Sequence, residues 1–318
     1  MYNLIRFFNQ NRRKIIIIIL FIVFLLGIIQ LLNYFAKKEN MSTTSKNESI
    51  TENSVIKNEV VSQKSVISGT NISKKDLKKD TDVISEFIEY CNSKNIEGAY
   101  ALLTDECKEV MFPSIEDFNR VYYEHIFNNQ ARSYTVENWI SNTYKIEYSN
   151  DILSTGKIDN DIGLLDYITV VEVNGEYKLN INNYVGRSIP NKTTEIKDIS
   201  ITINSVDSYM DYEIYNLSVE NRSNNTILLD TNDSTKSVYL QDTNDTKYYF
   251  YNNEVIQNRL KIQSKLKNTV EIKFMNPYTS GRTIKKLVFS KLVLNYDEYK
   301  QLEDKTQYSN FLVFNVNV

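Results

Sequence analysis

Three patterns of hydrophobic and polar positions follow one another along the chain. An uninterrupted apolar run covers residues 15–29, and allowing Gln30 and Asn33 extends it to Ala36. A helical period recurs over residues 81–126, and a period of two, typical of strands, takes over afterwards. Residues 37–80 keep neither period. The order predicts a membrane-spanning helix, a linker, an α+β domain and an all-β domain.

The apolar run at 15–36 predicts a transmembrane helix, because about 20 residues at 1.5 Å rise cross a bilayer core of ~30 Å. A cleaved signal peptide is the alternative, but a cut after Ala36 would place bulky Tyr34 where a small residue is needed. Four basic residues precede the run and two follow it. This bias favours a cytoplasmic tail at 1–14 and an extracellular position for everything after the run. The expected localisation is therefore the cell membrane, single-pass, with the lipid bilayer as one partner.

Residues 37–80 are rich in Ser, Thr, Asn, Lys and Glu, and too little of the segment is apolar to offset the entropy of ordering. We therefore expect a disordered linker there. Six of the 37 basic residues and none of the 40 acidic ones lie in residues 1–38, so the rest of the chain carries a net charge of −9. A negative net charge repels the phosphate backbone of nucleic acids, which argues against nucleic acid as a partner.

Residues 81–188 predict helices followed by an antiparallel meander. Thr81 is the expected N-cap of the first helix, Thr104 can cap a later one, and Ser114 with Asp117 resembles a capping box. Strands are expected on both sides of Asn174–Gly175, which is a strong hairpin signal. The only two cysteines, Cys91 and Cys107, occupy apolar helical faces, so we expect two buried thiols rather than a disulfide.

The run DVISEFIEYCNSKNIEGAYALLTDECKE resembles the opening of NTF2-like (cystatin-like α+β cone) domains, and the later VNGEYKL resembles their final strands. The resemblance implies an α+β cone for residues 81–188. It does not fix an activity, since the family includes isomerases and dehydratases as well as non-enzymatic subunits. The matching positions are Phe87, Asn95, Ala99, Tyr100, Leu102 and Leu103.

Enzymatic relatives use Asp, His or Tyr in the cone for proton transfer, and Asp117, Tyr123 and the only histidine, His125, are the candidates here. A lone histidine on an aromatic helix is more often a packing residue, and Asp117 already has a local explanation as a cap partner. We therefore predict no enzyme and no catalytic residue. Two DTND tetrapeptides, at 230–233 and 242–245, lack the glycine and distal glutamate of an EF-hand and read as hairpin turns. Neither a metal nor a cofactor is predicted.

Residues 192–318 alternate as strands separated by Asn, Asp, Ser and Gly turns, a layout similar to immunoglobulin-like β-sandwiches. Tyr248, Tyr249, Phe250 and Tyr251 place aromatic side chains on both faces of one strand. One face is expected in the core, and the other can stack on sugar or contact a protein. Tyr248, Tyr249 and Tyr251 are therefore the candidate ligand-binding or partner-binding residues.

The predicted fold class is α+β: an N-terminal transmembrane helix, an NTF2-like α+β domain, then an all-β immunoglobulin-like sandwich. This layout resembles membrane-anchored NTF2-like subunits of bacterial conjugation and secretion machines. We therefore expect a non-catalytic assembly or protein-binding subunit at the bacterial cell envelope, with protein partners and a homo-oligomer as a further option. The alternative is a cell-surface module that binds cell-wall glycan or peptide. An NTF2-like enzyme is the weakest reading.

Overall fold

The structure, a computed structural model, describes residues 63–69, 71–150, 164–231, 236–279 and 281–318 of the chain. All of them belong to one compact unit. Among these residues, no helix has both the length and the apolar character needed to cross a membrane. The predicted tail at 1–14, the predicted span at 15–36 and the linker up to residue 62 lie outside the described residues.

This finding corrects the membrane assignment. The membrane localisation, the lipid bilayer as a partner and the first element of the predicted fold class all depend on one spanning helix. The described part of the chain contains no such helix, so these predictions are not supported.

Side-chain caps begin most of the short helices in the first half of the described chain. Thr104 and Ser114 act as predicted, accepting hydrogen bonds from the N–H groups of Cys107 and Asp117. The helices are α1 (Lys74–Asn92), α2 (Ile96–Ala101), α3 (Asp105–Met111), α4 (Ile115–Phe118), α5 (Glu124–Ile126), α6 (Glu254–Arg259) and α7 (Tyr296–Gln301), with a π-helix at Asn119–Tyr123 and a 3₁₀ helix at Lys305–Gln307.

Helix α1 begins earlier than the sequence pattern predicts. Ser73 caps it by accepting a hydrogen bond from the Asp76 N–H at 3.1 Å, whereas Thr81 lies inside the helix and bonds the Lys78 carbonyl. The segment KKDLKKD at 74–80 contains Leu77 as its only apolar residue, so it shows no hydrophobic period. The expected linker boundary at residue 80 is thus displaced toward the N-terminus.

Within the described residues, fifteen strands make three antiparallel sheets. The first sheet has the order β1-β2-β3-β4. The second has the order β13-β8-β7-β5, with β6 also on β7, and the third has the order β11-β10-β14-β9-β12, with β15 on β14. The strands are β1 (Arg132–Ile140), β2 (Thr143–Asn150), β3 (Leu164–Val173), β4 (Glu176–Asn180), β5 (Tyr184–Ser188), β6 (Lys192–Ile196), β7 (Ile199–Tyr209), β8 (Glu213–Asn221), β9 (Ile227–Leu228), β10 (Val238–Asp242), β11 (Lys247–Tyr249), β12 (Lys261–Ile262), β13 (Leu266–Phe274), β14 (Ile284–Val293) and β15 (Phe311–Asn317).

The first sheet is the predicted meander. Asn174 and Gly175 form the β3–β4 turn with φ values of +54° and +86°, the left-handed conformation that a tight two-residue hairpin needs. Ser141, with φ of +52°, turns β1 into β2. Helices α1 to α5 share one hydrophobic core with this sheet.

The second and third sheets contribute inward-facing side chains to one shared core. Strand β8 shows how the alternating sequence builds this arrangement, because Tyr215, Leu217 and Val219 are buried while the residues between them are partly exposed. The second and third sheets therefore form a two-layer β-structure.

The predicted fold class is wrong in its balance. Of the described residues 44% lie in strands and 25% in helices, so the chain is mostly β-sheet. The helical period extends over residues 81–126, but there it is broken into helices of three to seven residues after α1. Two strands that the pattern did not predict, β5 and β6, add to the second sheet. The division into domains at residues 188 and 192 stays a prediction.

Candidate functional site

The second DTND tetrapeptide positions the predicted tyrosines. It forms the turn between β10 and β11, where one carboxylate oxygen of Asp242 accepts hydrogen bonds from the N–H groups of Asn244 and Thr246, both at 2.8 Å. Asp245 adopts a positive φ of +64° in the same turn. The tetrapeptide is thus a hairpin turn, as predicted, and it aligns β11 against β10. The first copy, at 230–233, is only partly described.

The three predicted site residues divide between the two faces of the hairpin. Tyr248 points toward the core of the sandwich with Phe250, and its hydroxyl bonds the Asp242 carboxylate at 3.2 Å. Tyr249 and Tyr251 lie on the outer side, 41% and 75% exposed. Burial and the bond to Asp242 raise the pKa of Tyr248. Only Tyr249 and Tyr251 are therefore placed for contact with another molecule.

The outer face of the hairpin gains a third tyrosine from β10. Tyr239 pairs directly with Tyr249 across the two strands, and their rings meet edge to face with centroids 5.7 Å apart. Two lysines lie over these rings: Lys247 Nζ is 4.5 Å from the Tyr239 centroid and Lys236 Nζ is 5.0 Å from the Tyr249 centroid. We call Tyr239, Tyr249, Tyr251, Lys236 and Lys247 the tyrosine–lysine strip.

The strip is locally basic. Lys286 of β14 lies opposite Gln241, which in turn lies opposite Lys247, so a third lysine extends the same face. Asp245 is the nearby carboxylate, and it accepts a hydrogen bond from Gln241 at 2.8 Å. Sequence reasoning found Tyr249 and Tyr251 from their alternation. It missed Tyr239 and the lysines, because they become neighbours only through strand pairing.

A second candidate site, a concave one, lies between β5 and the first sheet. This β5 groove has a volume of about 330 Å³. Consecutive residues of β5 form one side, and Val171, Val173 and Asn180 of the first sheet form the other. Thr104, Glu106, Ser208 and Tyr278 complete the lining. The sequence pattern gave no indication of it, since β5 was not predicted.

Arg187 fixes one end of the β5 groove. Its guanidinium binds both carboxylate oxygens of Asp207, at 2.8 and 3.1 Å, and also Glu109 at 3.1 Å. Tyr184 donates a further hydrogen bond to Asp207 at 3.0 Å. The bond to Asp207, and to a smaller extent the bond to Glu109, raises the pKa of Arg187 above its ordinary value. The cation is therefore neutralised in place and ties β5 to β7 and α3.

The residues weighed for proton transfer do not gather into one site. His125 is exposed, and Asp117 bonds Ser114 and Arg120 near the surface. The bond from Arg120, and to a smaller extent the bond from Ser114, lowers the pKa of Asp117. Tyr123 is buried, with its ring stacked on Phe127 at 5.6 Å.

A buried carboxylate that the sequence pattern did not reveal lies inside the first core. Asp166 accepts hydrogen bonds from the Tyr122 hydroxyl at 2.7 Å and from the backbone N–H groups of Tyr167, Asn182 and Asn183. Burial raises its pKa to about 6, against the opposing effect of these bonds. Aromatic rings pack around Tyr122, so this cluster is interior structure rather than an open site.

Within the described residues, no group of three or more His, Cys, Asp or Glu side chains could hold a metal ion. Cys91 and Cys107 are free and buried, which confirms the predicted thiols. Burial raises the pKa of the Cys107 thiol to about 12 and that of Cys91 further, so both stay protonated and unreactive at neutral pH.

Comparisons with known proteins assign no family. No family model matches the chain, and no curated protein matches it. A solved structure of the YjhA protein from Bacillus subtilis is 15% identical and covers 40% of this chain and 95% of its own, with a TM-score of 0.26. A likeness at that level carries no argument about fold or function. The resemblance to NTF2-like and immunoglobulin-like domains therefore stays a prediction.

Proposed function

We propose that the chain is a non-catalytic protein-binding subunit that contacts an acidic surface of its partner through the tyrosine–lysine strip. One observation carries the proposal: Tyr249 and Tyr251 stay open to solvent on a face that two lysine ammonium groups share. Tyrosine side chains are enriched among the residues that dominate binding energy at protein interfaces.

Charge favours an acidic partner. The chain as a whole has a net charge of −3, so a face with three lysines differs in sign from the average surface. Opposite charge steers association and selects partners, while the desolvated tyrosine rings supply most of the affinity. The strip combines both features within one hairpin.

Glycan binding is the second candidate, and the open ring of Tyr251 favours it. A sugar stacks flat on an aromatic face, however, and the lysines already lie over the rings of Tyr239 and Tyr249. On two of the three rings a lysine therefore already occupies one of the faces on which a sugar would stack. The same ammonium groups are well placed to meet carboxylates of a protein.

Chemical crosslinking in the cells that naturally produce the chain, followed by mass spectrometry, tests the proposal. We expect one or a few proteins to be recovered reproducibly with the full-length chain. The variant Lys236→Glu/Lys247→Glu should lower their recovery at least tenfold, since it places negative charge against an acidic partner.

The matched control is Lys267→Glu/Lys285→Glu, which changes two exposed lysines outside the strip by the same charge. It should leave recovery unchanged. Equal loss in both variants would mean that overall charge and not the strip is responsible. Recovery of the chain only with itself would replace the proposed partner by a homo-oligomer.

A further inference from the structure

The β5 groove exposes the edge of a strand. Strand β5 pairs with β7 on one side, and among the described residues it has no strand neighbour on the other. The groove is lined by Val185, Gly186, Arg187 and Ser188 in succession. Side chains alternate along a strand, so four consecutive lining residues mean that backbone as well as side chains of β5 borders the groove.

Hydrogen bonding shows which side of β5 faces the groove. The pairing with β7 is irregular between Tyr184 and Gly186, where Val185 is the extra residue of a bulge. The Val185 carbonyl accepts a hydrogen bond from Asn180 Nδ2 at 2.8 Å, and Asn180 also lines the groove. That carbonyl therefore points away from β7 and into the groove.

Gly186 gives the groove its depth. Its φ of +156° is one that side chains with a Cβ rarely adopt, and a Cβ there would come within 3.4 Å of Asn180 Nδ2. Gly186 pairs with Ser208, and both line the groove. The missing side chain leaves room for another backbone to lie alongside the strand.

The opposite wall suits an extended chain. Val171 and Val173 project from the first sheet into the groove, and Val173 is 38% exposed. Two residues of the same strand separated by one position form shallow apolar contacts for alternate side chains of a peptide. Four residues of β5 span roughly 13 Å, the length of about four peptide residues.

The charges at the rim select the peptide. Glu106 lines the groove and is exposed, and Glu109 on the same helix is largely exposed. Asp105 precedes them and pairs with Lys108 at 3.7 Å, so Lys108 and Arg187 together offset only two of the four carboxylates counted with Asp207. Arg187 is already neutralised by Asp207 and Glu109. The rim therefore presents a net negative charge.

Strand β13, the edge strand at the far side of the same sheet, differs. It exposes Lys267, Glu271 and Lys273, a charged pattern that natural sheets use to discourage added strands. Strand β5 itself carries no such run of charged side chains, since its residues lining the groove are valine, glycine, an arginine already in an ion pair, and serine.

We propose that an extended segment of a partner protein, carrying lysine or arginine, adds as a strand to the open edge of β5 in this groove. The backbone of the segment pairs with β5, its alternate side chains contact Val171 and Val173, and its basic side chain meets Glu106. This site is separate from the tyrosine–lysine strip, and either can fail without the other.

A displayed library of random dodecapeptides, selected on the full-length chain, tests the proposal. Selected peptides should carry lysine or arginine. They should also lack proline at the alternate positions whose N–H groups pair with β5, because proline has no N–H. Hydrogen exchange of the chain with a selected synthetic peptide should slow at residues 185–188.

Variants locate the binding. Glu106→Lys and Val173→Lys are exposed changes that place positive charge against a basic peptide, and each should weaken binding at least tenfold. Glu97→Lys, an exposed glutamate on α2 away from the groove, is the matched control and should change affinity less than twofold. Gly186→Ala should abolish binding, and the two exposed variants remain informative if that one fails to fold.

The proposal would be overturned by no enrichment of peptides, by binding that survives both exposed variants, or by slowed exchange elsewhere than at residues 185–188. Protection of those amides by increasing concentration of the chain alone would assign the edge to a second copy, and would also overturn it.

Discussion

The two hydrophobic cores of the molecule are built from different residues. Among the described residues each contains 26 buried side chains, but the core between the helices and the first sheet has seven tyrosines, whereas the core of the two-layer β-structure has three. A buried tyrosine needs a hydrogen-bond partner for its hydroxyl. The first core supplies carboxylates for this purpose, with Tyr122 bonding Asp166 and Tyr144 bonding Asp80, each at 2.7 Å.

The two regions should therefore respond differently to pH. Burial raises the pKa of Asp80 and Asp166, so the first core contains carboxyl groups that titrate with folding. The second core is mostly aliphatic, and the buried Glu213 at its edge is paired with Arg282 at 3.1 Å.

Phe118→Ala should lower the free energy of unfolding by about 3–5 kcal/mol, because it leaves a cavity among closely packed rings. Phe118 is fully buried and lies within 6.3 Å, centroid to centroid, of Phe87, Tyr100, Phe112 and Tyr122. Denaturant unfolding followed by tyrosine fluorescence measures the loss. Val313→Ala, on an exposed position of β15, should stay within about 0.5 kcal/mol.

Arg187→Met should cost about 3 kcal/mol, because it leaves the buried Asp207 without its cation. Arg222→Met is the matched control, since Arg222 pairs with Glu195 at the surface and such pairs contribute about 0–1 kcal/mol. Equilibrium unfolding of the two variants measures the difference. Equal losses would contradict a structural role for Arg187 between the two regions.

Asp166 should make stability depend on pH. Its pKa rises from 3.8 in the unfolded chain to about 6 in the folded one, so the folded state binds the proton more tightly. The resulting stabilisation is complete below pH 3.8 and is lost as pH rises through about 6, on the order of 3 kcal/mol. Unfolding from pH 4.5 to 7.5 should show this slope in the native chain and lose it in Asp166→Asn. The same slope in both would contradict the assignment.

Tyr122→Phe should cost about 1–3 kcal/mol, because Asp166 loses its side-chain donor without any change in packing. Tyr90→Phe removes a hydroxyl that bonds Glu86 at the surface and should stay within about 0.5 kcal/mol. Thermal unfolding of both variants measures the two losses of stability. If Tyr122→Phe left the stability unchanged, the backbone N–H groups alone would be enough to stabilise the buried Asp166.

Tyr251→Ala should change the free energy of unfolding by less than about 0.5 kcal/mol, the smallest effect, because the side chain is 75% exposed. It should nevertheless reduce recovery of the crosslinked partner. A large loss of stability would show that Tyr251 belongs to the core, and the strip would then lose its main anchor.

Local sequence signals predicted many elements correctly. The caps at Thr104 and Ser114, the Asn174–Gly175 hairpin and the long strands of the second half follow from side-chain chemistry and period alone. The start of α1 did not, because charged residues conceal its helical period. The predicted fold class failed since short helices and two unpredicted strands, β5 and β6, shifted the balance toward sheet.

The candidate sites were predictable only in part. Alternation along one strand separated Tyr248 from Tyr249 and Tyr251 in principle, although it did not say which face is exposed. Tyr239 and Lys236 join them only through the pairing of β10 with β11. Asp166 looks like an ordinary strand residue in the sequence, and its burial depends on contacts with Tyr122, 44 positions away.

Site-specific photocrosslinking tests most directly whether the tyrosine–lysine strip binds a partner. A photoreactive phenylalanine would replace Tyr251 in one full-length chain and Lys267 in another, and both would be irradiated in the cells that naturally produce the protein. We expect the probe at 251 to crosslink one protein reproducibly and the probe at 267 to leave it unlabelled. Equal labelling from both positions, or none from 251, would contradict a binding role for the strip.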